Sequence, residues 1–270
     1  MTEPQGRREM RDLLEKHGLV PRKALGQHFL SDPNIVRRIV RLSGVDETSN
    51  VLEIGAGTGT LTRGLAATGA RVIAYELDRH LEPLLEDTVG DLSNVEIRIQ
   101  DASEIRPEEF DGDWTLVANL PYHVGTPLLL DLLRFAPGIR SFVVMVQREV
   151  ADRFTAKPGS KQFGLPTVVI DLHAEIKFGF AVAPQVFFPP PQVASAVMTL
   201  KRRAEVSEFA ESATRLAAVG FSQRRKMLRS SLKGALDDPV AACAAAGIDS
   251  TLRAESLTTA DWLALAGVGS

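Results

Sequence analysis

The chain has 270 residues, of which 44% are hydrophobic and 24% charged, with a formal net charge of −3. That balance suits a sizeable core plus a small second unit, and it excludes a disordered chain or one that coats nucleic acid through its overall charge. The single cysteine, Cys243, excludes an internal disulfide framework and a cysteine-rich zinc site. No metal is expected. No N-terminal apolar segment and no membrane-spanning run is visible, so a cytoplasmic protein is expected.

Residues 1–18 carry Met10, Leu13, Leu14 and His17 at helical spacing with Gly18 as a stop, which predicts an amphipathic N-terminal helix. Arg7, Arg8 and Arg11 read as its solvated face. The loop Lys23-Ala-Leu-Gly-Gln-His-Phe-Leu30 follows, before a helix that Ser31 or Asp32 can cap and Pro33 can open. Gln27 and His28 have no packing reason to be polar, whereas Phe29 and Leu30 read as a hydrophobic anchor.

Asn50-Val-Leu-Glu-Ile54 runs into Gly55-Ala-Gly57-Thr-Gly59 and a helix over 60–67, a strand, glycine turn and helix of the nucleotide-binding kind. The strand at 71–75 ends on Glu76, 21 positions after Gly55 (76 − 55), close to the spacing at which an acid meets ribose hydroxyls. A third strand, 94–99, ends near Asp101-Ala102, where an acid can accept from an adenine amine. Glu53 beside the glycine turn suits a cationic amine or sulfonium better than a pyrophosphate. Three acids at three strand ends therefore favour S-adenosylmethionine over a dinucleotide.

Trp114-Thr-Leu-Val-Ala118 reads as a buried parallel strand that ends on Asn119-Leu120-Pro121-Tyr122. One amide acceptor, a run of backbone carbonyls and a flat ring at a carboxyl edge suit a planar base with an exocyclic amine, and a plain proline turn is the alternative. A helix over 126–135, a strand over 141–147, a helix over 148–155 and a flexible basic loop, Lys157-Pro-Gly-Ser-Lys161, come next. A short helix over 165–172 and strands over 175–182 and 193–200 complete the sheet. Between those strands, the three prolines after Phe188 predict a rigid extended loop presenting Phe187 and Phe188.

Composition shifts at Lys201-Arg-Arg203, the predicted domain boundary, beyond which helices are expected over 206–219, 223–233, 239–246 and 259–266. Thr258-x-x-Asp261 looks like a capping box for the last. Arg224, Arg225, Lys226, Arg229 and Lys233 stand on the second of these helices with no acid among them, a pattern that favours phosphate contact over a solvated face.

Five motifs in order, Lys23 to Leu30, Leu52-Glu-Ile-Gly-Ala-Gly-Thr-Gly59, Asn119-Leu-Pro-Tyr122, Phe187-Phe-Pro-Pro-Pro-Gln-Val-Ala-Ser195 and Phe221-Ser-Gln-Arg-Arg-Lys-Met-Leu228, resemble the rRNA adenine N6,N6-dimethyltransferase family. The resemblance implies a class I S-adenosylmethionine-dependent methyltransferase, an α/β Rossmann-like fold with a mostly parallel seven-stranded sheet over 19–203. A small all-helical RNA-binding domain over 204–270 would follow it, with 1–18 as an extension. It further implies dimethylation of two adjacent adenines near the 3′ end of small-subunit rRNA in an immature ribosomal subunit. Nothing in the sequence calls for an obligate dimer, so a monomer is expected.

The candidate cofactor site is then Gln27, His28, Leu30, Glu53, Gly55, Gly57, Glu76, Leu77, Asp101, Ala102 and Asn119. The target base would lie among Asn119, Leu120, Pro121, Tyr122 and Phe188. His28 departs from the asparagine that many members carry. A sister branch acts on large-subunit rRNA, and the basic pattern of 221–228 favours the small-subunit branch. A nicotinamide oxidoreductase would leave Asn119 to Tyr122 unexplained; an RNA-binding assembly factor with non-essential catalysis is the remaining alternative.

Overall fold

Leucine-rich and β-branched runs buried on both faces build the central sheet, as expected for parallel strands covered by helices. The computed structural model describes residues 4–22, 25–121 and 125–268. Its strands are β1 (Phe29–Leu30), β2 (Asn50–Ile54), β3 (Arg71–Glu76), β4 (Val95–Ile99), β5 (Trp114–Asn119), β6 (Ile139–Gln147), β7 (Ala174–Val182), β8 (Phe187–Phe188) and β9 (Ser195–Arg202). Seven of them form one sheet in the order β4-β3-β2-β5-β6-β9-β7. β2 pairs in parallel with both β3 and β5, β3 with β4, and β5 with β6, while β9 runs antiparallel to β6. The chain thus steps outward from β2 to β4 and returns on the far side at β5. That reversal is a topological switch point, where open α/β sheets hold ligands.

Local signals set the helices around it. Asp32 caps α2 (Pro33–Ser43) by accepting from the Asn34 amide, and Gly44 ends it in the left-handed region. Gly59, also left-handed, starts α3 (Thr60–Ala66). The N-terminal helix α1 (Arg7–Lys16) is part of this body and not a separate extension: Met10 and Leu14 are buried in the same core as Val36, Leu61 and Leu65. Buried Gln5 accepts from Thr60 Oγ1 at 2.9 Å, and Lys16 and His17 both reach Asp87 on α4 (Glu82–Val89).

The segment after β7 is not a rigid loop presenting two aromatics. A 3-10 turn at Pro184–Val186 leads into β8, which pairs antiparallel with β1, Phe29 opposite Phe188 and Leu30 opposite Phe187. Phe187 is fully buried.

Contacts divide the chain into Met1–Ala151 with Lys177–Lys201, and Asp152–Ile176 with Arg202–Ser270, so residue 203 is not the only boundary. Helix α5 (Gly125–Phe135) belongs to the first unit, whereas α6 (Arg148–Phe154) spans the division. In the second unit α7 (Leu165–His173), α8 (Ala210–Ser222), α9 (Leu228–Ser231), α10 (Pro239–Ala245) and α11 (Thr259–Val268) surround one core. Phe163, Val168 and Leu172 are buried there with Leu216, Leu228 and Trp262, which is why 152–176 goes with the C-terminal part. Thr258 and Asp261 form the reciprocal capping box at α11.

The expected helix over 223–233 is broken. Residues 223–226 are turn, and the Leu228 and Arg229 amides donate to Leu252 and Ser250 carbonyls instead of continuing a helical ladder. Among the described residues no helix is long and apolar enough to cross a membrane. Met10→Ala should lower stability by roughly 2–5 kcal/mol, the usual cost of truncating a buried methionine, in a denaturant titration of the whole chain. A loss below about 0.5 kcal/mol would mean α1 is not part of the core.

Candidate active site

The switch point opens a cavity of about 670 Å³. Gly55 and Gly57 border it from the turn after β2, Glu76 and Leu77 from the end of β3, Asp101 and Ala102 from beyond β4, and Asn119, Leu120 and Pro121 from the end of β5. Gln27 and His28, just before β1, close another side. The Gly55 and Ala56 amides both donate to the Tyr75 carbonyl, at 2.8 and 3.1 Å, and pin the turn to β3. Gly55 and Gly57 have φ of +79° and +59°, and a Cβ on Gly57 would stand 3.1 Å from the Phe29 ring. Glycine alone meets both demands cheaply.

Each polar group has a defined partner. Glu76 accepts the Gly57 amide at 2.8 Å on one oxygen and the Asp78 amide at 2.9 Å on the other. A carboxylate oxygen has a second lone pair, so both can still accept from a ligand. Burial pushes the Glu76 carboxyl up, against the pull of those two amides. Asp101 is exposed and accepts the Ser103 amide. Asn119 Nδ2 donates to the His28 carbonyl at 3.3 Å, which assigns the amide nitrogen to the loop and leaves Oδ1 as an acceptor. Gln27 donates to Asp78 Oδ2 at 2.9 Å and accepts the Arg22 amide at 2.8 Å.

Two expectations, those for Leu30 and Glu53, need correction. Leu30 does not border the cavity; it is buried in the β1–β8 pair. Glu53 does not border it either: successive side chains of β2 point to opposite faces, so Ile54 reaches the cavity and Glu53 is buried on the other side. Burial raises the Glu53 carboxyl to about 8; the nearby Thr62 hydroxyl opposes this and Glu76 adds to it. Neither Glu53 Oε2 nor Thr62 Oγ1 has a hydrogen-bond partner among the described residues. A carboxyl that is mostly neutral at pH 7 is no anchor for a cationic amine. His28 borders the cavity, but its Nδ1 lies 2.8 Å from the Pro189 carbonyl, a pure acceptor, so that nitrogen carries the hydrogen. Phe188 is half-buried outside the cavity lining, its ring covered by the guanidinium groups of Arg7 and Arg11 at 5.9 and 5.7 Å. Tyr122 lies outside the described residues.

Five residues of α5 that sequence reasoning did not assign to the site also border it: Pro127, Leu128, Asp131, Leu132 and Phe135. Their signal was a second helical stripe, 128, 131, 132 and 135, beside the buried Leu129 and Leu133. In the second unit Arg225, Lys226, Arg229 and Lys233 are exposed. Arg224 instead binds Glu255 Oε2 at 2.7 Å and the Lys161 carbonyl at 2.8 Å. Among the described residues, no group of three or more acidic, histidine or cysteine side chains comes together to hold a metal.

A left-handed glycine turn facing a buried acid across the switch point of this sheet, with a second acid and an apolar wall beyond, fits an adenosyl group and its ribose. These features define a class I S-adenosylmethionine-dependent methyltransferase. Within that class the chain belongs to the ribosomal RNA adenine dimethylase family, whose model matches residues 19–268. It is 43% identical over 267 residues to ribosomal RNA small subunit methyltransferase A of Phenylobacterium zucineum, covering 95% of this chain and 91% of that one. The protein of that name from Leifsonia xyli is 42% identical over 272 residues, covering 97% of each. Among solved structures, a dimethyladenosine transferase from Plasmodium falciparum superposes with a TM-score of 0.72 at 25% identity, over 88% of this chain and 96% of that one. The 23S rRNA methyltransferase ErmE gives 0.67 at 27% identity, over 89% and 99%.

Glu53 provides a test of the buried site. The folded protein keeps this proton up to about pH 8, whereas an ordinary carboxyl releases it near 4.5. Between those values the native state binds more protons than the unfolded one, so stability should fall as pH rises through the window and level off above it. Glu53→Gln should flatten that fall in denaturant titrations at a series of pH values; an unchanged slope would show that Glu53 is not the group responsible.

Proposed function

We propose that this chain transfers methyl groups from S-adenosylmethionine to the exocyclic amines of two adjacent adenines near the 3′ end of small-subunit rRNA. The observation that carries the reading is Asn119, which borders the same cavity as the glycine turn with its oxygen left to accept. When bound, S-adenosylmethionine supplies an electrophilic methyl group on a sulfonium. Glu76 would hold its ribose hydroxyls and Asp101 its adenine amine, with Leu77 and Ala102 against the base, Gln27 and His28 at the amino-acid end, and the backbone of Gly55 and Gly57 in close approach.

An adenine amine is a poor nucleophile because its lone pair is delocalised into the ring. Asn119 Oδ1 and the Leu120 carbonyl accept its two hydrogens and so favour a tetrahedral nitrogen, in a backbone that Pro121 stiffens. The proton then leaves to water, and the chain need not supply a base. Tyr122 and Phe188 are the candidate walls for the extruded base, at roughly 1–3 kcal/mol per stacking contact. Phe188 takes that role when the base replaces Arg7 and Arg11 over its ring.

The exposed cations Arg225, Lys226, Arg229 and Lys233 suit the rRNA backbone. The names of the relatives at 42–43% identity favour the small-subunit substrate over the large-subunit one of the less similar ErmE. An immature small subunit as substrate, action as a monomer and a cytoplasmic setting complete the reading. The chain's lone Cys243 is a buried free thiol. Asn119→Ala should keep the fold and S-adenosylmethionine affinity while slowing methyl transfer to unmodified small subunits by about 100- to 1,000-fold, the scale for losing one oriented polar group. Wild-type turnover in that variant, with the methylated sites mapped, would overturn the assignment.

A further inference from the structure

Sequence alone puts Arg224 on the phosphate-binding face with its basic neighbours, but its guanidinium is engaged within the second unit. Nε donates to Glu255 Oε2 at 2.7 Å, and Nη2 donates to the Lys161 carbonyl at 2.8 Å and the Ser160 carbonyl at 3.4 Å. Glu255 adds a second tie, its own carbonyl accepting the Gly159 amide at 2.6 Å. These four bonds join three pieces that have little order of their own: the turn at 223–226, the 3-10 turn Ala254–Ser256 and the loop at 157–161. The loop holds a proline and a glycine at φ +82°, and its backbone has no regular ladder to rest on. A planar guanidinium can satisfy a carboxylate and two carbonyls at once, a geometry that an ammonium group does not reproduce. Lys157 and Lys161 themselves are exposed, as are Arg225 and Lys226 beside the staple.

We propose that Arg224 and Glu255 form a positioning staple that holds the 157–161 loop against the turn carrying Arg225 and Lys226, so that Lys161 becomes a further phosphate contact for RNA. The inference rests on the reading that this face binds RNA. In it Arg224 is a positioning residue, and Glu255, an acid, strengthens the grip on a polyanion by acting through the loop.

The test is binding of the full-length protein to immature small ribosomal subunits across a salt series. Lys161→Ala should weaken binding and reduce the salt slope by up to about 0.9, the share of one duplex phosphate contact. Glu255→Ala should weaken binding several-fold although it removes a negative charge, and Arg224→Lys should weaken it although it keeps a positive one. Amide exchange at Gly159 should quicken in both, which separates a loosened loop from a merely altered charge. Stronger binding by Glu255→Ala with near wild-type binding by Arg224→Lys would overturn the staple and make Arg224 a direct phosphate ligand. An unchanged salt slope in Lys161→Ala would also overturn it, without touching the core. If Arg225→Ala with Lys226→Ala binds like wild type, the RNA-face reading itself fails.

Discussion

The left-handed backbone of the Gly55 turn, packed against the end of β5, is the constraint on which the rest of the first unit depends. A Cβ at Gly55 would lie 3.7 Å from the Asn119 carbonyl oxygen and within 4.0 Å of the Pro121 ring, in a backbone conformation that side chains rarely adopt. Two parallel strands can diverge into a ligand crevice only if the turn leaving one of them clears the end of the other. Gly64 adds a steric demand one layer out, since a Cβ there would come within 2.6 Å of the Val36 side chain on α2. The α2 and α3 helices can therefore close over the sheet. Gln5 then ties the N-terminal segment to Thr60 on α3 and Thr88 on α4 through buried hydrogen bonds, which must be satisfied once water is excluded.

Charge around the crevice is layered. Glu76 is buried and raised, while Asp78, two residues on, is held below its ordinary value. Burial alone would raise Asp78, but bonds from Gln27 and His80 and the charge of Arg22 outweigh it. The ionised acid thus holds Arg22 and Gln27. Gln27 is held on the cavity border by this secondary acid, so its place in the site depends on a residue the sequence did not single out.

Much of this was legible because its signals are local. Strand ends punctuated by glycine, acid or asparagine mark the carboxyl edge of a parallel sheet, and the order of those motifs implied its topology. What could not be read depends on distant partners. Glu53 looks like a ligand acid until the pleat of β2 turns it away from Ile54. Phe187 and Phe188 look presented until Phe29 and Leu30 pair with them. The cationic run over 224–233 looks helical and free of acids until residues 250–253 take its backbone bonds and Glu255 its first arginine. Local propensity favoured a helix there, and tertiary pairing overrode it.

His28 joins two halves of the site that are far apart in sequence. Its carbonyl receives the Asn119 amide and its ring nitrogen meets the carbonyl of Pro189, so the 187–189 segment reaches Asn119 through one residue. Each of the two bonds is accepted by a main-chain oxygen, that of His28 itself and that of Pro189. On the Pro189 side this relay senses where the backbone of residue 189 runs. A change in the length of the segment would move that carbonyl. Insertions or deletions between β7 and β9 would therefore be felt at the Asn119 amide as well as at Phe188.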